Sequence, residues 1–379
     1  MPTTVGILGG GQLARMMALA GARLGLRVRV VDTAADACAS QVAPLTCADY
    51  NDFDAISKFA DGIDVVTFDF ENVPADTAMF LASRVPVFPN PQALAVAQDR
   101  LEEKQLFQRL GMATPTFATV DSLEELQAGI LTVGLPAILK TRRLGYDGKG
   151  QIRLRAEADA DAAWRSLGGV PLILESLVPF DREISVISVR GRGGEFSTYA
   201  LTENFHEHSI LSASLSPAPR SEEIEDTAIT FARRLAEDLD YVGVFALELF
   251  EHEGNLLVNE MAPRVHNSGH WTIEGAITSQ FENHLRAVLG LPLGSTQALG
   301  TSVMLNWISE VPDALPLLAE PLGHWHDYGK TSRPGRKVGH ATLNGSASEV
   351  SDALKRLSAG MKRPSQIDPV VAVLAPQLQ

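Results

Sequence analysis

Short apolar runs alternate with amphipathic helical stretches through the first hundred residues, and this alternation narrows the fold more than any other feature. Residues 5–8 read as a buried strand, 12–24 as a helix and 27–31 as a second strand ending at Asp32. Residues 65–68 and 85–88 read as two more strands, the last halted by Pro89-Asn90-Pro91. Strands parted by helices pair in parallel through right-handed crossovers, so residues 1–98 are expected to form a parallel-sheet α/β domain.

From about Gln98 the pattern changes. A charged helix over 99–110 leads into a mixed α+β region with strands at 137–140, 172–174, 183–189, 244–250 and 256–258. Helices are expected at 220–239 and 279–289. After about Gly300 a third segment is punctuated by Pro312, Pro316, Pro321, Pro334 and Gly335 and ends in one more helix at 349–357. At 379 residues the chain exceeds one comfortable core, which fits domains over 1–98, 99–300 and 301–379.

The net charge of −14 excludes non-specific binding to nucleic acid or an anionic membrane. No apolar run approaches the roughly 18 residues of a membrane span, and the N-terminus lacks the pattern of a secretion signal. Cys38 and Cys47 show no metal-ligand spacing, and a reducing cytoplasm suits them.

Gly9-Gly10-Gly11-Gln12-Leu13-Ala14 follows a strand and opens a helix, with Asp32 ending the next strand. Taken alone this spacing points to a nicotinamide-dependent dehydrogenase. The same glycines equally serve a tight strand-to-helix turn, or bring backbone amides to any phosphate or carboxylate.

The central region carries chemistry that this reading leaves unused. Lys140 closes an apolar strand, where an ammonium group is costly unless it meets an anion. The loop Gly145-Tyr146-Asp147-Gly148-Lys149-Gly150-Gln151 offers mobile amides for covering phosphates, or else a hairpin turn at Asp147-Gly148. Glu175 ends one strand and Glu183 opens the next, as acceptors for an adenine amino group and ribose hydroxyls or as solvated strand ends. Glu248 lies inside an apolar strand, and Asn259-Glu260 ends the next after the turn at 251–255. A hairpin would set these acids face to face, where they need a cation; Mg²⁺ shared with phosphates is the natural one. The loop that follows contains Arg264, His266, Asn267 and His270, with Arg264 suited to clamp an anion. Lys330, Arg333, Arg336 and Lys337 form a basic cluster within eight residues, a local exception in an acidic chain.

In this order the lysine, glycine-rich lid, hinge acid and Glu…Asn-Glu pair resemble the ATP-grasp superfamily. Seven blocks narrow the resemblance to the N5-carboxyaminoimidazole ribonucleotide synthases: GILGGGQLARM, FENVP, QDRLEEK, GYDGKGQ, ENFHEHSIL, NEMAPRVHNSGHWT and YGKTSRPGRKVGH. The chain departs from the family pattern at Ala14, Asp69 and His208-Ser209. The resemblance implies an ATP-grasp fold with an N-terminal Rossmann-like domain and a small C-terminal domain. It implies ATP- and bicarbonate-dependent carboxylation of aminoimidazole ribonucleotide in purine biosynthesis, with Mg²⁺ as cofactor and a homodimeric state. By the same resemblance Arg100, Lys140, residues 145–151, Glu175, Ser176, Leu177, Val178, Glu183, His206, Asn259 and Glu260 contact ATP. Glu248 and Glu260 hold the metal. Lys140, Arg264 and the two metal carboxylates carry catalysis. Glu71, Tyr146, Asp147, Arg264, His266 and Asn267 line the ribonucleotide and bicarbonate pocket, and Lys330, Arg333, Arg336 and Lys337 take the phosphate. Other acyl-phosphate ligases of the superfamily remain open at this stage, among them a formate-dependent glycinamide ribonucleotide transformylase and a biotin carboxylase. So do the dehydrogenase and a non-catalytic nucleotide sensor.

Overall fold

The computed structural model describes residues 3–145, 149–361 and 363–378. Strands β1 (Thr4–Leu8), β2 (Arg27–Asp32), β3 (Leu45–Cys47) and β4 (Val65–Phe68) form an all-parallel sheet in the order β3-β2-β1-β4. The expected strand at 85–88 is reduced to a single bridge between Val66 and Val87. Pro86 and Pro89 explain this, because neither has an N–H to extend a ladder.

A second sheet comprises β5 (Phe117–Val120), β6 (Ala137–Thr141), β7 (Gln151–Leu154) and β8 (Leu172–Ser176), in the order β5-β8-β6-β7 and entirely antiparallel. Strands β6 and β7 pair in antiparallel register on either side of the glycine loop, whose proposed turn at Asp147-Gly148 lies outside the described residues.

The largest sheet has nine strands. These are β9 (Arg182–Arg190), β10 (Phe196–Thr198), β11 (Thr202–Glu207), β12 (Ile210–Ser216), β13 (Gly243–His252), β14 (Asn255–Ala262), β15 (Thr301–Ile308), β16 (Gly323–Asp327) and β17 (Lys337–Gly345). Their order is β14-β13-β9-β11-β12-β15-β17-β16, with β10 paired to β9. The third segment therefore contributes three strands to the central sheet rather than turns and one helix. It ends in two helices, Ala347–Met361 and Pro364–Leu374. Pro364 in the first turn and Pro369 inside disguise the last helix in the sequence.

The parallel sheet and the central sheet share one core. Val5, Ile7, Met17 and Val30 pack in the same cluster as Ile187, Val244, Leu285 and Val288. Helix Gln280–Leu289 lies between the sheets, and its His284 joins them: Nε2 meets Thr67 Oγ1 at 2.6 Å on β4, and Nδ1 accepts the Val244 amide at 3.0 Å on β13. Because Nδ1 accepts an N–H, the ring proton sits on Nε2 and is donated to Thr67. Full burial pushes the His284 pKa down to about 3.

A folded-state pKa below the unfolded one means that the unfolded chain takes the proton first. The His284 contribution is complete above about pH 6.5 and is lost as pH falls towards 3, at about 1.4 kcal/mol per pH unit. Thermal unfolding followed from pH 7 to 4.5 should therefore show a steadily falling Tm. The His284→Asn variant should be less stable at pH 7 and show a shallower decline; an unchanged slope would contradict the assignment.

Candidate functional site

In the antiparallel pairing of β13 with β14, Glu248 stands directly opposite Glu260 and Leu249 opposite Val258. Asn259 is therefore the extra residue of a β-bulge beside the acid pair, and bulges re-aim the neighbouring side chains. Each carboxylate has a nitrogen partner from another element of the chain. Glu248 Oε1 lies 2.9 Å from His266 Nε2, and Glu260 Oε2 lies 2.7 Å from Arg100 Nη1. Burial opposes ionisation of Glu248, but His266, His206 and Lys337 outweigh it and hold the carboxyl at about 2. Two ionised carboxylates on one face, with the Asn259 side chain between them in sequence, make a donor set suited to a hard divalent cation that also binds phosphate oxygens.

A second group of charges forms on the four-stranded sheet. Glu175 on β8 receives Lys140 from β6 at 3.1 Å and Lys104 from helix Arg100–Arg109 at 3.4 Å, both on Oε2. Burial works against the Glu175 charge, yet Lys104, Lys140 and Arg100 keep its pKa near 2. Its other oxygen, Oε1, is buried with no hydrogen-bond partner among the described residues and can accept from an amino group. Beyond Glu175 the chain passes through Ser176, whose amide meets Thr116 O, then Leu177, whose amide meets Pro136 O, and half-buried Val178. Glu183 on β9 pairs with His206 on β11 at 3.1 Å; burial alone would lower the His206 pKa, but Glu183 and Glu248 raise it.

The loop after β6 is tied at its base. Asp99 caps helix Arg100–Arg109 and forms a bidentate pair with Arg142 at 2.8 and 2.9 Å, with Arg143 at 3.2 Å. Arg100 Nη2 reaches Gly145 O at 3.5 Å, and Gly150 O accepts the Thr141 amide. Lys149 lies exposed next to Gly150, and Gln151 opposes Lys140 in the β6–β7 register. Tyr146, Asp147 and Gly148 lie outside the described residues.

Facing this arrangement, Arg264 forms a close ion pair with Glu71 through Nε. Gln98 holds the Glu71 segment, donating to Glu71 O at 2.8 Å and Val73 O at 2.6 Å. Gln280 clamps the His266 backbone from both sides, at 2.9 Å to its N–H and 2.6 Å to its carbonyl. Asn267 is buried, and its Nδ2 has no partner. In the basic cluster, burial first and then the neighbouring charges of Arg336 and Lys337 push the Lys330 pKa down. Lys330 reaches across to Gln12 Oε1 in the N-terminal glycine loop, Arg336 donates to Thr331 O at 3.1 Å, Arg333 is exposed, and Lys337 opens β17 with its charge felt at Glu248.

The glycine loop itself is committed to carboxylates of the protein. Gly11 N and Ala14 N donate to Asp69 at 2.7 and 3.3 Å, and Gly10 N donates to Asp32 at 2.7 Å. A Cβ at Gly9, where φ is +100°, would stand 1.6 Å from Asp69 Oδ1. These glycines make room for Asp69, whose pKa burial pushes up to about 7. With those three amides occupied, the loop does not present the phosphate cradle that the dehydrogenase reading requires.

Sequence reasoning missed Lys104, Glu103, Asp69, Gln98 and Gln280. A usable signal existed for two of them. Glu103 and Lys104 stand one turn before Leu106 and Phe107, on the stripe that this helix buries.

Comparison with known proteins places this geometry in a family. Residues 1–98 match the model of the ribonucleotide synthetase preATP-grasp domain, 105–281 that of the ATP-grasp domain, and 302–353 that of the phosphoribosylaminoimidazole carboxylase C-terminal domain. The N5-carboxyaminoimidazole ribonucleotide synthase of Pseudomonas aeruginosa is 52% identical over 89% of this chain and 94% of its own length. That of Brucella melitensis is 46% identical over 90% and 96%. The crystal structure of N5-carboxyaminoimidazole ribonucleotide synthetase from Thermus thermophilus is 54% identical and superposes with a TM-score of 0.90 over 94% of this chain and 98% of that one. The Aspergillus clavatus synthase, solved with ADP and 5-aminoimidazole ribonucleotide, is 30% identical with a TM-score of 0.86 over 99% of both chains. With facing carboxylates on a bulged hairpin, a lysine-bound hinge acid and relatives of this similarity along nearly its whole length, the chain belongs to the N5-carboxyaminoimidazole ribonucleotide synthase family of ATP-grasp enzymes.

Proposed function

We propose that the protein carboxylates 5-aminoimidazole ribonucleotide at its exocyclic amine, consuming ATP and bicarbonate and releasing ADP and phosphate. The observation that carries the proposal is the register of β13 against β14, which sets Glu248 opposite Glu260 within reach of Arg100 and His266. Glu248 and Glu260 would hold Mg²⁺, which would supply neutralisation of the charge that in-line transfer of the γ-phosphoryl group to bicarbonate develops.

The residues divide the work as follows. Arg100, Lys140, the lid from Gly145 through Lys149 and Gly150 to Gln151, the hinge Glu175 to Val178, Glu183, His206 and Asn259 bind the nucleotide. Lys140 leaves Glu175 for the phosphates, and the buried Glu175 Oε1 accepts from the adenine amino group. Arg264, poised by Glu71, stabilises the carboxyphosphate formed from bicarbonate and ATP, while His266 and Asn267 orient the amine that receives the carboxyl group. For Tyr146 and Asp147 the assignment to the ribonucleotide rests on the family resemblance alone. Lys330, Arg333, Arg336 and Lys337 take the 5′-phosphate on the side where Lys330 meets Gln12. In this division residues 99–300 bind the nucleotide and its metal and share the ribonucleotide pocket, to which residues 1–98 and 301–379 contribute.

The protein acts on small molecules, and no helix among the described residues is long and apolar enough to cross a membrane. A cytoplasmic homodimer is the state that the family resemblance supports.

ADP release measured with Mg-ATP and bicarbonate should rise strongly when aminoimidazole ribonucleotide is added; no stimulation of a folded, ATP-binding protein would remove the substrate assignment. Replacing Arg336 and Lys337 together with Ala should raise the ribonucleotide KM roughly 10- to 100-fold, the range expected for losing charge-assisted phosphate contacts, and leave the ATP KM within about threefold. Equal effects on both constants would place the phosphate elsewhere.

A further inference from the structure

Strand β14, which carries Asn259 and Glu260, is the outermost strand of the nine-stranded sheet and pairs only with β13. An edge strand presents unpaired N–H and C=O groups, and a bulge adds a residue with no opposite number. Both conditions meet at the residues beside the metal carboxylate. Yet the outer edge of β14 is occupied. The Val258 amide donates to Ala113 O at 2.7 Å. Lys104 Nζ donates to the carbonyl of the bulged Asn259 at 2.7 Å and lies 3.4 Å from Val258 O. Glu103 Oε1 accepts the Met261 amide at 2.7 Å. One turn earlier on the same helix, Arg100 holds the Glu260 carboxylate. Helix Arg100–Arg109 therefore grips both sides of Glu260 in the backbone, at 259 and 261, as well as its side chain.

The burial of these groups sets them apart from an ordinary charged helix surface. Glu103 is 2% exposed and Lys104 is 1% exposed, values at which such residues persist only when paired. The Lys104 ammonium also touches Glu175 Oε2, so one group links the hinge strand β8 to the metal strand β14.

We propose that Glu103 and Lys104 are positioning residues for the metal site: they replace the missing neighbour strand on the outer edge of β14, pin the Asn259 bulge, and thereby hold Glu260 opposite Glu248. The inference rests on the reading of Glu260 as a metal ligand. Neither residue touches substrate. Their effect passes through the backbone of β14, so it appears in metal affinity rather than in recognition of the nucleotide alone.

The test compares Glu103→Gln, Glu103→Met, Lys104→Met and Glu260→Gln. Mn²⁺ binding in the presence of ADP is followed by electron paramagnetic resonance, ADP binding in EDTA by calorimetry, and folding by circular dichroism. Glu103→Gln keeps an acceptor for the Met261 amide and should bind Mn²⁺·ADP within about threefold of wild type, whereas Glu103→Met and Lys104→Met should weaken it about tenfold, as loss of a buried hydrogen bond does. Metal-free ADP binding by the Glu103→Met protein should stay within about threefold of wild type, a split that a general loss of structure would not produce. If Lys104→Met fails to fold, the contrast between the two Glu103 variants decides. Equal behaviour of those two variants would overturn the proposal. Wild-type Mn²⁺·ADP binding by Glu260→Gln would instead overturn the metal-ligand reading; a defective Glu260→Gln beside a normal Glu103→Met would overturn the positioning role alone.

Discussion

Two ionised carboxylates placed face to face on neighbouring strands repel, and the architecture of this protein is arranged around that repulsion. Glu248 and Glu260 cannot stand opposite each other on β13 and β14 unless cations are brought to them. Partners come from other elements: Arg100 from the helix that begins the central region reaches Glu260, and His266 from the loop after β14 reaches Glu248, which also feels the Lys337 charge at the start of β17. The Arg100 pair ties the central sheet to a helix 160 residues earlier in the chain. Two carboxylates held in this way are a donor set suited to a divalent cation.

The same economy appears at the junction between the sheets. His284 commits both ring nitrogens, one to the parallel sheet and one to the central sheet. Lys330 crosses from the third segment to Gln12 in the first. Asp69 fills the space that the N-terminal glycines leave open and accepts the amides of Gly11 and Ala14. A motif whose spacing matches a dinucleotide cradle thus acts as a socket for an internal carboxylate, and the helix N-terminus that would attract a phosphate is already satisfied.

What could be read from the residues follows a physical rule. Acids inside apolar strands violate the burial preference and announce themselves, which is why Glu248, Glu260 and Lys140 were legible along with the hairpin that pairs the first two. The alternation of strands and helices in the first domain is equally local and equally legible. Three kinds of information were not. Glu103 and Lys104 share the buried stripe of Leu106 and Phe107, but what they hold there, the edge of β14, is set by tertiary contact alone. The strands after residue 300 lie in a segment punctuated by Pro and Gly, and their continuity with β12 depends on pairing across almost a hundred residues. The expected strand at 85–88 satisfies apolar patterning but lacks donors at its prolines, a case where hydrogen-bond chemistry overrides hydrophobicity.

The central claim is that the facing pair on β13 and β14 is the metal cage, and one diffraction experiment addresses it. Crystals grown with ADP and Mn²⁺ should give an anomalous peak between the Glu248 and Glu260 carboxylates, with Glu248 released from His266 and Glu260 from Arg100. A peak remote from both carboxylates, with those two ion pairs intact, would contradict the account.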